Sequence, residues 1–399
     1  MKKIMILGAG LLQSFVIRRA KELGYKTIVL DMDANAVGFQ YADQHEIINI
    51  VDKNACLECA IRNNIDGVIT AATDYGVITA AYIAKQLKLN GLDVKVAETI
   101  KNKYYVRKIL HEMKADDTPQ FFELSRPEDI EKIRDIVEFP LMVKPCDGSG
   151  SKGVCKVTSI QELRDAFSDA IKVSLSKKVL AETFIQGKEY GVESFVYNNQ
   201  VNILGVMKKE MTKPPYYAEL GHSIPSGLSE EMEQKVRNVV KNSIQALKIN
   251  YGAVNMDLLI TDDGKVCIVD IGARMGGNLI GSHIIPIATG IDYMGNIIKA
   301  AVGDIPDFKI IKKGIVATKL LSLKSGTVVS LPVFDDYKSN SVDIICKLNI
   351  GDKINEYKNN LDGCGYVVVQ DNNIGDALER AEQIKKSIDN SIIRKDIEQ

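Results

Sequence analysis

Two aspartates, Asp257 and Asp270, lie in strand-like apolar segments that are joined by the turn signal Asp262–Lys265. A two-residue loop at 263–264 and a four-residue loop over 262–265 both place Asp257 opposite Asp270, with Cβ atoms roughly 5 Å apart. Like charges at that spacing are unfavourable unless a cation lies between them, and Mg²⁺ and Mn²⁺ prefer such hard oxygen ligands. The pair therefore predicts a metal site. In the alternative interpretation, both aspartates face solvent at a frayed strand end.

Lys144 ends another strand-like segment, and a loop rich in small residues follows it. Glycines allow backbone N–H groups to turn inward and form a nest for phosphate oxygens, which the lysine would also reach as a point charge. The loop differs from a Walker loop because its lysine precedes the glycines. A flexible hairpin tip with a solvated lysine is the alternative. The candidate loop residues are Gly148, Ser149, Gly150, Ser151 and Gly153.

A third candidate segment runs from Glu182 to Glu189, with the apolar residues Phe184 and Ile185 between the two carboxylates. An apolar slot with exposed backbone groups suits an adenine ring, and a carboxylate beyond it can bind ribose hydroxyls. The same pattern is also compatible with an ordinary surface hairpin.

Arg274 follows Asp270 by four residues and could stabilise charge that develops on a transferred phosphoryl group. His222, one of four histidines, could act near a phosphate or a substrate carboxylate, or could be structural. The turn Gly8-Ala9-Gly10 with Asp31 is the start of a dinucleotide fingerprint, but Gln13 stands where the third glycine belongs. A nicotinamide-dependent oxidoreductase is therefore a weaker, competing hypothesis.

The elements that position these residues follow from hydrophobic periodicity. Alternating strand and helix patterns over the first hundred residues predict a parallel sheet with crossover helices. The expected strands are 3–7, 27–31, 47–51 and 67–71, and the expected helices are 11–23, 55–64, 77–87, 98–113, 160–173, 230–247 and 374–391.

Composition narrows the class of protein. The chain has 399 residues, enough for two or three compact units, and a formal charge of −1, which predicts neither nucleic-acid nor membrane binding. Its hydrophobic fraction of 45% and charged fraction of 26% are those of a globular protein. Seven scattered cysteines indicate a reducing compartment, so we expect a cytoplasmic protein.

Taken in order, these segments resemble the ATP-grasp superfamily of carboxylate–amine ligases over nearly the whole chain. The resemblance implies an α/β and α+β multi-domain fold: a Rossmann-like lobe over 1–97, an ATP-grasp fold over 98–313 with its small lobe at about 118–190, and a C-terminal extension over 314–399. It also implies binding of ATP with Mg²⁺ or Mn²⁺, phosphorylation of a carboxylate to an acyl phosphate, and amide formation with an amine. Homodimers are common among similar proteins, so we expect one here.

The resemblance implies specific roles for residues of this sequence. Lys103 and Lys144 match the residues that bind the nucleotide phosphates, and Glu182, with the hinge through Ile185, matches the adenine site. Glu189 matches the ribose-binding acid, Asp257 and Asp270 match the metal acids, and Arg274 matches the arginine of a terminal E-x-N-x-R pattern.

The sequence departs from that pattern at Gly272, which stands where asparagine is usual. Asn255 or Asn278 could compensate, and the alternative is a catalytically degenerate protein that binds ATP as a sensor or as a partner-binding module. The Glu219–Pro225 segment resembles L-amino-acid ligases, whereas the overall layout also resembles phosphoribosylglycinamide synthetase and carbamoyl-phosphate synthetase. The substrates, an acid and an amine, stay open between amino acids and glycine with phosphoribosylamine.

Overall fold

The computed structural model describes residues 1–148, 152–214 and 216–396. Its N-terminal part is the predicted parallel sheet with crossover helices, in the strand order β3-β2-β1-β4. The elements are β1 (Lys3–Leu7), α1 (Leu11–Glu22), β2 (Lys26–Asp31), β3 (Gln44–Ile47), α2 (Lys53–Asn63), β4 (Gly67–Thr70) and α3 (Val77–Leu87), with a 3₁₀ turn at Val37–Tyr41.

The strand expected at 47–51 is wrong by several residues, because β3 ends where it was expected to begin. Residues 49–52 form a turn in which the Asp52 N–H donates to the carbonyl oxygen of Asn49. The Asp52 side chain then caps α2 by accepting from the N–H groups of Asn54 and Ala55. Ile48 and Ile50 pack against the core from this irregular segment, whereas Ile47 and Val51 are exposed.

The single helix expected over 98–113 is also wrong, because the structure has two helices, α4 (Val94–Lys101) and α5 (Lys103–Glu112). Asn102 separates them in an extended conformation, and its side chain accepts from the N–H groups of Tyr104 and Tyr105. Because of this break, α5 is a separate helix that begins at Lys103.

A small lobe follows, in which four strands pair antiparallel in the order β5-β8-β6-β7 and pack against two helices. Its elements are β5 (Phe121–Leu124), α6 (Glu128–Ile133), β6 (Leu141–Pro145), β7 (Cys155–Val157), α7 (Ile160–Val173) and β8 (Val179–Thr183).

The largest sheet has eight strands in the order β13-β12-β9-β10-β11-β14-β18-β16. Five of them precede residue 314: β9 (Lys188–Tyr197), β10 (Gln200–Met211), β11 (Glu219–Ile224), β12 (Gly252–Ile260) and β13 (Val266–Gly272). The helices of this region are α8 (Glu230–Ala246), α9 (Ile285–Thr289) and α10 (Tyr293–Ala301), with a π-helical turn at Ile280–Ile284.

The segment from residue 314 extends this sheet, because β11 pairs with β14, which pairs with β18. Its elements are β14 (Ile315–Leu320), β15 (Gly326–Ser330), β16 (Val342–Cys346), β17 (Lys353–Ile354), β18 (Gly365–Asp371), α11 (Ile374–Ser391) and β19 (Ile393–Lys395), with 3₁₀ turns at Phe334–Tyr337 and Asn360–Asp362. Among the described residues, no helix combines the length and the apolar character needed to cross a membrane.

Strand alternation decides which side chains face the site. On β12, Val254, Met256 and Leu258 are buried with α8 in one apolar cluster. Asn255 and Asp257 point to the opposite face, because successive strand residues alternate. That face is apolar at one end, under the N-terminal part, and charged at the end next to the small lobe.

Candidate active site

A cavity of about 450 Å³ lies between the small lobe and the charged end of the large sheet. It brings together nine of the residues selected from the sequence: Lys103, Lys144, Gly148, Glu182, Phe184, Ile185, Glu189, Asp257 and Asp270. Gly153 instead lines a separate groove beside α7, and Ser149, Gly150 and Ser151 lie outside the described residues. Segments that are far apart in the chain therefore converge on one cavity.

The back of the cavity holds a buried ion triad. Glu182 accepts from Lys144 Nζ at 2.5 Å through Oε1 and from Arg107 Nε at 2.5 Å through Oε2. All three side chains are 6% exposed or less. Burial alone would raise the pKa of Glu182, but Arg107 and Lys144 overcome that effect and lower it to about 2. Glu182 is therefore a carboxylate that holds Lys144 at the cavity wall.

Arg107 is a residue that the sequence reasoning missed. It lies one helical turn after Lys103 on α5, and its Nη2 also donates to the Val269 carbonyl oxygen at 2.9 Å. The available signal was its spacing of four from Lys103, which places both side chains on one helix face.

The two aspartates pair as predicted, with Asp257 opposite Asp270. The expected loop is wrong, however, because Ile260 pairs with Val266 and Thr261 closes onto Lys265. A β-bulge between Asp257 and Leu258 then shifts the register by one residue. The bulge brings the aspartates opposite each other although the turn alone would not.

Each of these aspartates is paired with a lysine from another element. Lys103 Nζ lies 2.5 Å from Asp270 Oδ1, and Lys209 Nζ lies 2.9 Å from Asp257 Oδ1. Lys103 lowers the pKa of Asp270 against the opposing effect of burial. The pKa of Asp257 rises to about 6, because burial and nearby carboxylates outweigh Lys209.

Lys209, on β10, is the second residue that the sequence reasoning missed. Its side chain is 2% exposed and its ammonium group contacts three carboxylates: Glu219 at 2.7 Å, Asp257 at 2.9 Å and Glu189 at 3.4 Å. Burial opposes its charge, yet these carboxylates raise its pKa well above the ordinary value. Strand alternation, which puts Lys209 on the same face as buried Met207, was the available signal.

His222 is nearly fully buried beside Glu219 and is absent from the residues that line the cavity. Its Nε2 is 4.0 Å from Glu219 Oε2, and burial lowers its pKa to about 4. It is therefore a neutral imidazole behind the cavity wall, beside Glu219 and opposite Lys209 in the sheet.

Arg274 lies in a second, smaller cavity of about 50 Å³ that adjoins the first. Asp74, from the N-terminal part, accepts from its Nε at 2.9 Å and its Nη2 at 3.3 Å, and Asn255 Oδ1 lies 3.4 Å from its Nη1. A Cβ at Gly272 would lie 3.0 Å from Arg274 Cζ and 3.1 Å from Asp74 Oδ1. The ion pair thus occupies the space that an asparagine side chain at position 272 would need.

The two asparagines considered as replacements are both engaged. Asn255 donates from Nδ2 to Glu193 at 3.0 Å, and Asn278 donates to Glu219 and accepts from the Tyr366 hydroxyl at 3.0 Å. Asn255 is directly opposite Gly272 in the hairpin, which keeps its amide at the edge of the second cavity.

The charges around the aspartates fit a divalent cation. Glu189, Glu219 and Asp257 share the single ammonium group of Lys209, which leaves two excess negative charges around it, whereas Asp270 pairs with Lys103. Within residues 1–148, 152–214 and 216–396, no three His, Cys, Asp or Glu side chains form a ready-made metal cage. The excess negative charge around Lys209 suits Mg²⁺ or Mn²⁺ held by one or two carboxylates together with ligand phosphates.

The glycine turn Gly8–Gly10 is closed to a dinucleotide. The Gln13 side chain folds over it, with Oε1 2.9 Å from where a Gly10 Cβ would lie, and its Nε2 donates to the Ala71 carbonyl oxygen at 2.6 Å. Asp31, the expected ribose ligand, accepts from the Ala9 N–H at 2.7 Å. These contacts stabilise the turn itself and argue against the nicotinamide hypothesis.

Comparison with known proteins agrees with this arrangement. Residues 137–282 match the ATP-grasp domain, and residues 1–89 match the ribonucleotide synthetase preATP-grasp domain. The chain is 28% identical over 190 residues to a formate-dependent phosphoribosylglycinamide formyltransferase of Prochlorococcus marinus. This match covers 46% of this chain and 48% of that protein. The chain spans about half the length of the curated relatives it matches.

Two solved structures share the fold from end to end. An L-amino acid ligase from Bacillus licheniformis has a TM-score of 0.83 and 23% identity, covering 99% of both chains. A phosphoribosylglycinamide synthetase from Anaerococcus prevotii has a TM-score of 0.79 and 24% identity, covering 99% of this chain and 100% of that one. Together with the matched domains and the lysine–carboxylate cavity between the lobes, this likeness shows that the chain has an ATP-grasp fold preceded by a preATP-grasp domain.

Proposed function

We propose that this protein is an ATP-dependent ligase that phosphorylates a carboxylate and couples it to an amine, with release of ADP and phosphate. The observation that carries the proposal is the pair of facing aspartates, Asp257 and Asp270, each in contact with a lysine in one cavity. Such a site can exchange its lysine–carboxylate contacts for phosphate–lysine and carboxylate–metal contacts when a nucleotide enters.

The nucleotide is proposed to bind in the larger cavity. Its phosphates would take Lys144 and Lys103 as partners, under the loop that follows β6, and closing of the small lobe would exclude water. The apolar hinge at Phe184 and Ile185 would hold the base, and Glu189 would bind the ribose. The ion triad supports this role for Lys144, because Arg107 keeps Glu182 charged and Glu182 keeps the lysine at the wall.

Asp257 and Asp270 would hold Mg²⁺ or Mn²⁺. When bound, the cation would neutralise phosphate charge during phosphoryl transfer. Because Lys103 and Lys209 already sit beside these carboxylates, both ammonium groups are available to phosphate oxygens once the carboxylates take a cation as partner.

The chemistry would occur where the two cavities meet. A substrate carboxylate oxygen attacks the γ-phosphorus and the bond to the β–γ bridging oxygen breaks, giving an acyl phosphate and ADP. The amine nitrogen then attacks the acyl carbon, inorganic phosphate leaves, and the amine proton is released. Arg274, held by Asp74 at the rim, would stabilise the charge on the transferred group. His222 would contribute through Glu219 and not by direct contact.

The small second cavity favours small substrates. Its lining combines the charged residues Asp74, Lys101 and Arg274 with the apolar side chains of Val77 and Ile78. These features are compatible with an amino acid, and also with glycine as the partner of phosphoribosylamine. A homodimer and a cytoplasmic location complete the proposal, the latter supported by seven free cysteines.

Gly272 favours one other function, an ATP-binding sensor without turnover, because a metal-ligating amide is missing at this position. The two functions differ in whether bound ATP is converted to ADP.

The experiment is ADP release from purified protein with ATP and Mg²⁺ or Mn²⁺, combined with calorimetric ATP binding. Three pools are offered: amino acids, phosphoribosylamine with glycine, and small carboxylic acids. We expect release that depends on one pool, with an Asp270→Asn variant as the inactive control. ATP binding with no release in any pool would support the sensor, and absence of ATP binding would contradict both functions.

A further inference from the structure

Lys209 is shared among three carboxylates, and Glu219 is its nearest partner at 2.7 Å. Two of the three, Glu189 and Asp257, are assigned above to the ribose and the metal, so nucleotide binding would draw them away from the lysine. Glu219 would then be the contact that keeps the Lys209 ammonium group at the cavity wall. The position of Lys209 in the loaded enzyme therefore depends on what holds Glu219.

The backbone of Glu219 is held by the C-terminal segment. Its N–H donates to Asn360 Oδ1 at 3.0 Å, and its carbonyl oxygen accepts from the Tyr357 hydroxyl. Asn360 begins the 3₁₀ turn 360–362, which Asn359 and Asp362 close as a capping box. The two groups that hydrogen-bond to the Glu219 backbone thus come from Tyr357 and from the capped 3₁₀ turn that follows it, about 140 residues further along the chain.

The side chain of Glu219 is held from the other side. Its Oε2 accepts from Asn278 Nδ2, and Asn278 Oδ1 accepts from the Tyr366 hydroxyl at 3.0 Å. Asn278 has a φ of +49°, a left-handed conformation that costs energy in most residues but is tolerated by asparagine. Tyr366 lies on β18, in the same sheet as β11. The relay of hydrogen bonds from Tyr366 through Asn278 to Glu219 therefore starts from a residue that the sheet holds in place.

We propose that Tyr357, Asn360 and Tyr366 of the C-terminal segment are positioning residues that fix Glu219 and, through it, the Lys209 ammonium group in the nucleotide cavity. The inference rests on the proposed function for its catalytic consequence, but the orientation of Lys209 itself is independent of any reaction. The β-bulge between Glu210 and Met211 explains why such bracing is needed. Glu219 lies at this irregular end of β11, where the ladder alone does not determine its orientation.

The first test measures Lys209 without nucleotide. The Lys209 side chain is 2% exposed, so reductive methylation with formaldehyde and cyanoborohydride should modify it slowly in the wild-type protein. We expect the double variant Tyr357→Phe/Tyr366→Phe to raise the methylation rate of Lys209 by about threefold, read by mass spectrometry. The effect is limited without nucleotide because Asp257 and Glu189 still contact the Lys209 ammonium group. Lys144, held by a different carboxylate, is the internal control and should not change.

Tyr337→Phe is the matched control variant. Its hydroxyl lies 3.2 Å from Ser391 Oγ, in the same C-terminal segment but away from Glu219. Equal Lys209 methylation in the double variant and in Tyr337→Phe would overturn the inference. The single variant Tyr366→Phe, which removes the hydroxyl that donates to Asn278, replaces the double variant should the latter fail to fold. An unchanged methylation rate in that variant counts against the relay in the same way.

The second test concerns turnover, once a substrate pool supports ADP release. We expect the double variant to lower kcat by about tenfold with a smaller change in KM for ATP, and to have no further effect in a Lys209→Met background. An equal loss in both backgrounds would mean a general structural defect and would overturn the inference. Failure of the wild-type protein to release ADP would contradict the proposed function alone, because the methylation result stands without it.

Discussion

Replacing Arg107 with methionine tests the ion triad most directly. Arg107 and Glu182 are 3% and 6% exposed, and their atoms are 2.5 Å apart. Removing one partner of a buried ion pair costs about 3–5 kcal/mol, because the other charge is left without compensation. Lys144 still contacts Glu182 at 2.5 Å, so we expect the lower end, a loss of about 3 kcal/mol in the free energy of unfolding.

The assay is a double-mutant cycle by urea unfolding, comprising the wild-type protein, Arg107→Met, Glu182→Gln and the double variant. Arg107→Met leaves Glu182 with Lys144 alone, and Glu182→Gln leaves two buried cations without their shared carboxylate. Because the two substitutions remove the same ion pair, the double variant should cost about 2 kcal/mol less than the two single losses combined. ATP affinity, measured by calorimetry, should fall in both single variants, since Lys144 loses its fixed partner or that partner loses its orientation.

Arg126→Met is the matched control. Arg126 forms an ion pair with Asp129 at 3.6 Å, but its side chain is 67% exposed, so the same substitution should cost less than about 1 kcal/mol. If Arg107→Met costs no more than this control, or if the cycle is additive, the reasoning from the buried triad is refuted.

Three further outcomes are expected. Asp270→Asn should lower turnover by about a hundredfold or more while ATP affinity stays within about threefold, and unchanged turnover would contradict the metal assignment. Gly272→Asn, although it restores the asparagine usual in the family, should lower turnover, because its side chain displaces the Arg274–Asp74 pair; a gain in activity would contradict this. His222 binds its proton with a pKa of about 4 in the folded protein against 6.5 ordinarily, so the folded state holds fewer protons over that range and its stability falls as the pH drops from 6.5 to 4. In urea unfolding, the free energy of unfolding should fall by about 3 kcal/mol less between pH 6.5 and pH 4 in His222→Gln than in the wild-type protein. A pH profile that matches the wild type would be contrary evidence.

Local patterns in the sequence predicted most helices and strands because they depend on residues close in the chain. Helices α3, α7 and α11 have the expected bounds, since apolar residues recur at helical spacing between clear end signals. The helix expected over 98–113 failed for an equally local reason, the Asn102 cap, which has a readable signal. The strand expected at 47–51 failed because apolar residues in a turn look like a strand when only their hydrophobicity is counted.

The candidate site could be predicted where its residues follow one another in a hairpin or a hinge. The hairpin and the pairing of Asp257 with Asp270 were predicted, but from a loop that is wrong; a β-bulge between Asp257 and Leu258, which the sequence did not reveal, produces the observed register. Arg107 was not predicted because its partner Glu182 lies 75 residues away. Lys209 was not predicted because its three partners lie on three different strands, which only the folded sheet brings together.

The sequence by itself determined the order of the elements, the alternation that puts the acids on one strand face, and the residue types able to bind phosphate and metal. The tertiary structure decided which lysine neutralises which carboxylate, that Asp74 of the N-terminal part holds Arg274, and that the C-terminal segment braces Glu219. The physical reason is the distance along the chain over which each kind of interaction acts. Backbone conformation and burial patterns are set by near neighbours in the chain. The charge contacts act over a few ångströms between segments that only folding brings together.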